Sequence, residues 1–380
     1  MTLTVADAGP GPRTHALVIG IGGYEHLKGG AGTLLPNLLQ YGNLGQLTSP
    51  PRSALAIANA LQSPKLDWQV PLGTVELLVS PPDPDPSGDS ARCDPTTRGA
   101  IQAAFDAWLD RCNADEGNLA FCYIAGHGLQ GKHQIVLASD FGQSANQPWQ
   151  HAFDVDDTRK ALTANKAQTQ VFLVDACREI TTSNVEVPSA PAPALSSPKL
   201  RQPDNCVYEL TIMATSRTRK AYGTTKQPSY FAKAFVAGLT GGAAVKADGE
   251  WWITTGKLAE RFYPLMEFVG ADTHAQPPIP IATRTFRLAR LRSAPPAKLQ
   301  FACRPDEATL LADLAWQPAG LQPRLRPQRS PAAWTVDVEP GLYFVSATFT
   351  GREYRDRQQD VIVEPPLTSE RLVCEQLVVT

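Results

Sequence analysis

The chain has 380 residues, 43% of them hydrophobic and 19% charged, with 35 Lys and Arg against 37 Asp and Glu and a formal net charge of −2. That balance describes a folded globular protein with room for one large α/β domain and a small second one, and it excludes a disordered chain or a strongly basic nucleic-acid-binding protein. No apolar run approaches the ~18 residues of a membrane-spanning helix, and the N-terminus lacks a basic stretch followed by an apolar one, so no membrane partner is expected and the expected compartment is the cytoplasm. The seven cysteines, at 93, 112, 122, 177, 206, 303 and 374, contain no C-x-x-C pair. Neither a disulfide framework nor a zinc site is expected, and no metal or cofactor.

In chain order, residues 15–22 (His-Ala-Leu-Val-Ile-Gly-Ile-Gly) read as a buried strand entering a glycine loop. A phosphate-binding reading of that loop fails, because no Walker lysine follows and the dinucleotide spacing is wrong. Residues 44–61 read as a helix with Pro50 and Pro51 at or near its first turn, and 75–79 as the second strand. Residues 80–90 form a Pro/Asp loop that is too polar to pack and whose prolines argue against a calcium site. Residues 94–98 cap a helix over 99–112, in which Ile101, Ala104, Phe105, Trp108 and Leu109 recur at helical spacing. Residues 118–126 are a second continuous apolar run, 134–140 a short strand, 154–162 a helix, and 170–176 a third apolar run. Strand and helix alternate, which implies right-handed crossovers and a mostly parallel sheet.

Residues 182–205 change character: Pro188, Pro191, Pro193 and Pro198 lie among Ala and Ser with almost nothing apolar to bury, the composition of a flexible loop inside the domain. Strand-like sequence resumes at 206–213, a helix is expected over 229–239, a hairpin at Asp248-Gly249 and a helix over 255–269. Pro295-Pro296 marks a boundary between residues 1–294 and 295–380. Beyond it, short strands at 298–303, 334–338, 341–348, 359–363 and 372–379, separated by turn residues, form the pattern of a small β-sandwich.

Two of these runs stop at reactive side chains. Residues 118–128 end in Gly126-His127-Gly128, and 170–179 continue through Asp175-Ala176-Cys177-Arg178. In an open α/β sheet the ligand crevice lies at the carboxyl ends of the strands, so His127 and Cys177 could face each other there. Either residue alone reads as structural. Together they suit thiolate attack on an acyl carbon, since a neighbouring imidazole lowers a thiol pKa from about 8.5 into roughly the 3.5–7.5 range. Gly128 removes a side chain where substrate must approach, so that its N–H and that of Cys177 can meet a developing oxyanion. His133, in a polar turn, is the only rival base nearby. Asp156-Asp157 is too little for a calcium site.

The Gly-His-Gly and Asp-Ala-Cys-Arg pattern, fifty residues from His127 to Cys177, resembles the caspase-like cysteine peptidases of clan CD: caspases, metacaspases, paracaspases and their bacterial relatives. The resemblance runs over about residues 15–291 and includes Ala214-Thr-Ser216, Ala221-Tyr222-Gly223 and Ser229-Tyr-Phe. It implies a caspase-haemoglobinase-like α/β sandwich, an endopeptidase acting on protein or peptide substrates through a Cys177–His127 dyad, and a substrate-binding region around Asp175, Ser216 and Tyr222. It also implies a cleavable linker in which Lys199 or Arg201 could be processed; an uncut surface loop is the other reading. Asp175 stands where caspases carry a Gln that helps to hold an acidic P1 residue, and an acidic pocket favours Arg or Lys instead, as in metacaspases. The partner aspartate of metacaspases, expected near 49–54, is replaced by Pro51-Arg52-Ser53. Residues 334–345 are similar to Ig-like or carboxypeptidase-regulatory-like modules, a place for an activating partner to dock. A regulatory or bacterial defence role follows from the resemblance alone, and a catalytically silent scaffold or a peptidase latent until effector binding are the other readings.

Overall fold

The computed structural model describes residues 3–5, 9–34, 44–80, 95–130, 132–144, 146–176, 192–197, 204–214, 227–271 and 278–377. In chain order the first half runs β1 (Leu3–Val5), β2 (Thr14–Ile21), α1 (Ser49–Leu61), β3 (Leu66–Trp68), β4 (Leu72–Ser80), α2 (Arg98–Cys112), β5 (Leu119–Gly126), β6 (Gly128–Gln130), β7 (Gln134–Leu137), β8 (Ala152–Asp154), α3 (Val155–Leu162) and β9 (Thr169–Ala176). It continues with β10 (Tyr208–Met213), α4 (Tyr230–Ala237), β11 (Ala244–Ala247), β12 (Glu250–Thr254), α5 (Thr255–Phe268), β13 (Ile279–Ala282) and β14 (Arg287–Leu291). The last part comprises β15 (Ala297–Arg304), α6 (Ala308–Leu311), β16 (Asp313–Pro318), β17 (Arg324–Leu325), β18 (Trp334–Val338), β19 (Gly341–Thr348), β20 (Arg357–Val363) and β21 (Leu367–Val373).

The main sheet has the order β1-β4-β2-β5-β9-β10-β13, parallel from β4 to β10 with one antiparallel strand on each edge. Its central strands β2, β5 and β9 are mostly apolar and buried because both faces are covered there. Alternation then sorts them: Ala16, Val18, Phe121, Tyr123, Val171 and Leu173 pack with residues of α1, α4 and α5. Leu17, Ile19, Cys122, Ile124, Phe172 and Val174 pack on the other face with α2 and α3. The result is a three-layer α/β/α sandwich. From β2 the chain crosses through α1 to β4, then returns through α2 to β5 on the opposite side of β2. The strand order therefore reverses between β2 and β5, which is where an open parallel sheet forms its crevice.

Local chemistry sets the helix starts. Thr97 caps α2 by accepting from Ala100 N at 3.3 Å, and Asp154 caps α3 by accepting from Asp157 N at 2.8 Å. In α1 the prolines occupy the first turn, where no intrahelical N–H is needed, and the helix begins at Ser49 and not at 44. Leu44 is buried from the preceding loop instead, in the cluster around Tyr24. The Asp248-Gly249 hairpin forms with both residues at positive φ, 53° and 82°, as a two-residue primed turn requires.

The expectation of a flexible loop with almost nothing apolar to bury over 182–205 is corrected at residues 192–197, which are seated in the fold. Leu195 is 5% exposed and belongs to the apolar cluster on the α2/α3 face. Its N–H donates to Thr158 Oγ1 at 2.9 Å, and its carbonyl accepts from Gln102 Nε2 at 2.9 Å. Asp154 N donates to Pro193 O at 3.3 Å, so the segment lies beside β8 like an added strand. One leucine and three hydrogen bonds outweigh a composition that otherwise reads as loop. The strand expected at 134–140 stops at Leu137, and the one expected at 372–379 is β21, Leu367–Val373, because its parallel register with β15 pairs Lys298 with Leu367.

Beyond residue 295 two sheets, β18-β15-β21 and β17-β16-β19-β20, surround an apolar cluster of residues between Ala297 and Cys374. This region touches α5: Arg261 Nη2 donates to Pro365 O at 2.8 Å, and Arg261 and Lys257 reach Glu364 at 3.2 and 3.5 Å. Among the described residues no helix is long and apolar enough to cross a membrane.

Candidate functional site

His127 follows β5 directly, at the point where the strand order reverses. Its ring Nε2 lies 2.7 Å from Gly45 O, its N–H donates to Tyr24 Oη at 2.7 Å, and the Tyr24 and His127 rings lie 4.8 Å apart between centroids. A carbonyl only accepts, so Nε2 carries the proton and Nδ1 is left as the basic nitrogen. Burial pushes the His127 pKa down to about 4, against a smaller upward pull from the Gly45 carbonyl. Gly126 makes this packing possible: a Cβ there would meet Tyr24 Oη at 2.9 Å.

Gly128 opens β6 opposite Val136 of β7. Leu137 N donates to His127 O at 3.0 Å, so His127 and Leu137 stand at a hydrogen-bonding position of the ladder, with the His127 N–H diverted to Tyr24. Antiparallel pairs alternate, which makes Gly128–Val136 a non-bonded pair and turns the Gly128 N–H away from β7. That donor is not consumed by the ladder.

β5 and β9 run in parallel register through Ala125↔Asp175 to Gly126↔Ala176. The next residues in the sequence are His127 and Cys177. Cys177 itself lies outside the described residues, as do Ser216, Tyr222, Lys199 and Arg201. The carbonyl of Ala176 accepts from the buried Gln134 Nε2 at 3.1 Å, and Gln134 N donates to Asp156 Oδ2 at 2.7 Å, which ties the end of β9 to α3.

Asp175, 8% exposed, points to the α1/α4 face. Tyr123 Oη donates to its Oδ2 at 2.7 Å and Ser229 Oγ donates to the same oxygen; among the described residues Oδ1 accepts no hydrogen bond. Ser229 also caps α4, accepting from Ala232 N at 3.0 Å, and its N–H donates to Ser53 Oγ of α1 at 2.8 Å. Burial raises the Asp175 pKa, opposed by the two hydroxyl donors.

His133 is bound elsewhere, its Nδ1 2.7 Å from Asp154 Oδ2. One donor atom each from His133, Asp154 and Asp157 lies within 4.8 Å of the others, but Asp154 is already occupied in capping α3. The remaining described cysteines are poor thiolate candidates. Cys112, Cys122, Cys303 and Cys374 are buried, and burial pushes Cys206 and Cys303 up to about 12 and Cys112, Cys122 and Cys374 upward as well.

Sequence reasoning missed Gly45, Tyr24 and Gln134. Gly45 acts through a carbonyl and leaves no side-chain signal; Tyr24 could have been found from its place just past the carboxyl end of β2.

Against known proteins, the family model described as Caspase domain (peptidase C14) matches residues 13–249. An uncharacterised protein of Sinorhizobium fredii is 25% identical over 204 residues, covering 52% of this chain and 58% of that protein. A probable protease of a Desulfuromonadales bacterium is 28% identical over 116 residues, 29% of this chain and 14% of the relative. The chain thus spans less than two thirds of either relative. Among solved structures, caspase-1 from Spodoptera frugiperda aligns with a TM-score of 0.39 at 14% identity, covering 72% of this chain and 88% of that one. Its precursor form aligns with a TM-score of 0.38 at 13% identity, covering 72% and 91%. With the family model spanning more than half of its residues, the chain belongs to the caspase-domain family, peptidase C14.

Proposed function

We propose that the protein is a cysteine endopeptidase in which Cys177 is the nucleophile and His127 the general acid and base. The observation that carries this reading is the β5/β9 register: it pairs the residues immediately before His127 and Cys177, beside an imidazole whose basic nitrogen is set by Gly45. Cys177 Sγ attacks the scissile carbonyl and its proton passes to His127 Nδ1. The tetrahedral oxyanion is met by the Gly128 and Cys177 N–H groups, each such donor being worth about 10²–10³-fold. Collapse breaks the C–N bond, and the leaving amine takes the proton from the His127 imidazolium. Water, deprotonated by His127, then hydrolyses the thioester, acid–base help of this kind contributing about 10²–10⁴-fold.

Asp175 makes the specificity basic. Its Oδ1, not used by Tyr123 or Ser229, is the acceptor for the P1 Arg or Lys, with Ser216 and Tyr222 contributing to the same region. Lys199 and Arg201 are matching processing sites. Residues 295–380 form a second domain that receives an activating partner, its link to α5 through Arg261 and Glu364 being the contact that favours this role. A regulatory or defence function fits the family resemblance.

The test is hydrolysis of a fluorogenic peptide library varied at P1, by wild type and by Cys177→Ala. The reading expects cleavage after Arg and Lys that Cys177→Ala abolishes. Asp substrates outrunning Arg and Lys would overturn the specificity, and activity surviving in Cys177→Ala would overturn the mechanism.

A further inference from the structure

The Gly45 carbonyl that holds His127 belongs to a loop, and something must hold the loop. Three side-chain bonds from one residue do so. Gln46 Oε1 accepts from Tyr24 N at 2.8 Å, and Gln46 Nε2 donates to Tyr24 O at 2.9 Å and to Lys28 O at 3.2 Å. The two loops also share backbone bonds, from Leu47 N to Gly22 O at 2.8 Å and from Lys28 N to Leu44 O at 3.3 Å. Tyr24, whose backbone Gln46 grips from both sides, is the residue whose hydroxyl accepts from His127 N and whose ring lies against the imidazole. Its hydroxyl is itself aimed by donating to Ile21 O at 3.2 Å.

We propose that Gln46 is a positioning residue for His127, acting through both Gly45 O and Tyr24 to keep the imidazole in the Nε2–H form with Nδ1 free to take and give the proton. The inference rests on the peptidase reading for its effect on turnover, but not for its effect on the ring. Gln46 is exposed, so neither its side chain nor its loss shapes the core. Two of its bonds nevertheless fix the backbone of Tyr24, which touches His127, and the third ties its own loop to Lys28, which lies beside Gly45, the residue whose carbonyl meets the ring. In a neutral imidazole the two tautomers are close in energy unless a fixed partner chooses, and a carbonyl at 2.7 Å from Nε2 is that partner only while its loop stays in place. The same carbonyl favours the imidazolium, so loosening it lowers the basicity of His127.

The test uses the full chain labelled with ¹⁵N-histidine, comparing wild type, Gln46→Met and Tyr24→Phe, with His127→Gln identifying the His127 signals among the six histidines. Gln46→Met keeps the side-chain length and removes all three bonds; Tyr24→Phe keeps the ring and removes the acceptor for His127 N. Imidazole nitrogen shifts against pH are read beside kcat and KM on a basic-P1 peptide. Expected are a pure Nε2–H tautomer in wild type and a mixed one in Gln46→Met. With that mixing kcat falls roughly 10-fold, KM stays within about two-fold, and the acid limb of the pH profile moves to lower pH, the loss of one well-aimed bond at a charged site being of this order. Tyr24→Phe shifts the same signals in the same direction. If wild type hydrolyses no peptide while Gln46→Met still mixes the tautomers, the peptidase reading fails and the clamp stands. A Gln46→Met protein with the wild-type tautomer and kcat overturns the inference. So does one that loses only titratable active protein, with kcat per active molecule and pH profile intact.

Discussion

Leu195→Ala separates a docked segment from ordinary core. The substitution removes three carbons from a side chain that is 5% exposed, at about 0.8 kcal/mol per buried CH₂, so roughly 2.4 kcal/mol. Were Leu195 part of an indivisible core, that loss plus the cavity left behind would lower global stability by about 2–5 kcal/mol. The described stretch 192–197 is instead held by this side chain, by the Thr158 and Gln102 bonds to the Leu195 backbone, and by Asp154 N on Pro193 O. It can lift away without opening the sheet. The cost therefore falls first on docking: about 2.4 kcal/mol weakens it roughly 50-fold, and global stability falls by no more than the docking free energy itself. Hydrogen exchange of peptides covering 192–197, read beside urea unfolding of the same protein, measures both. A global loss above about 2 kcal/mol with exchange at Leu195 unchanged would refute the reasoning, and so would a wild-type segment that exchanges without protection.

Further outcomes follow from the site. Asp175→Asn keeps the shape and both hydroxyl partners but removes the charge, so hydrolysis after Arg and Lys should fall about 10–100-fold while a neutral P1 loses far less, as kcat/KM across the library will report. Its raised pKa means that the folded chain holds this proton more tightly than the unfolded one, so stability falls as pH rises through the unfolded carboxylate value toward the folded one. Asp175→Asn should remove that contribution, checked by urea midpoints at pH 4 and 7. His127 has the opposite sign of effect: its pKa drops from 6.5 to about 4 on folding, so the stability from burying it neutral is present above pH 6.5 and lost as pH falls toward 4. His127→Gln should flatten stability over that interval; unchanged slopes would contradict the assignment. Gly20→Ala should cost about 1–3 kcal/mol by chemical denaturation, since its Cβ would sit 2.5 Å from Pro50 O and 2.7 Å from the Ala54 Cβ and push α1 off the sheet.

Much of this was legible because buried parallel strands write themselves as unbroken apolar runs: β2, β5 and β9 stand within a residue or so of their expected ends, and their reactive neighbours followed. β18 and β19 were read at their observed bounds from the Pro340-Gly341 turn between them. Short strands carried no such signal, so β3, β6 and β8, three residues each, went unread. The helix α1 was begun too early because Leu44 and Leu47 are apolar, yet they pack from a loop on the opposite cluster. The 192–197 anchor was hidden because a single Leu among Pro, Ala and Ser carries no period. In the site, side chains that end strands were visible, while the carbonyl of Gly45 and the grip of Gln46 exist only once two loops meet.

The most direct measurement of the central claim is labelling by a peptide-derived, thiol-directed electrophile, mapped over all seven cysteines in wild type, Cys177→Ala and His127→Gln. Because burial pushes the thiols of Cys112, Cys122, Cys206, Cys303 and Cys374 upward, they should stay largely unmodified at neutral pH. The account predicts that of Cys177 and these five only Cys177 is labelled, by a reaction that disappears in Cys177→Ala and slows by at least about 10²-fold in His127→Gln. Equal labelling of wild type and Cys177→Ala, or a Cys177 that reacts at the same rate without the imidazole, would contradict it.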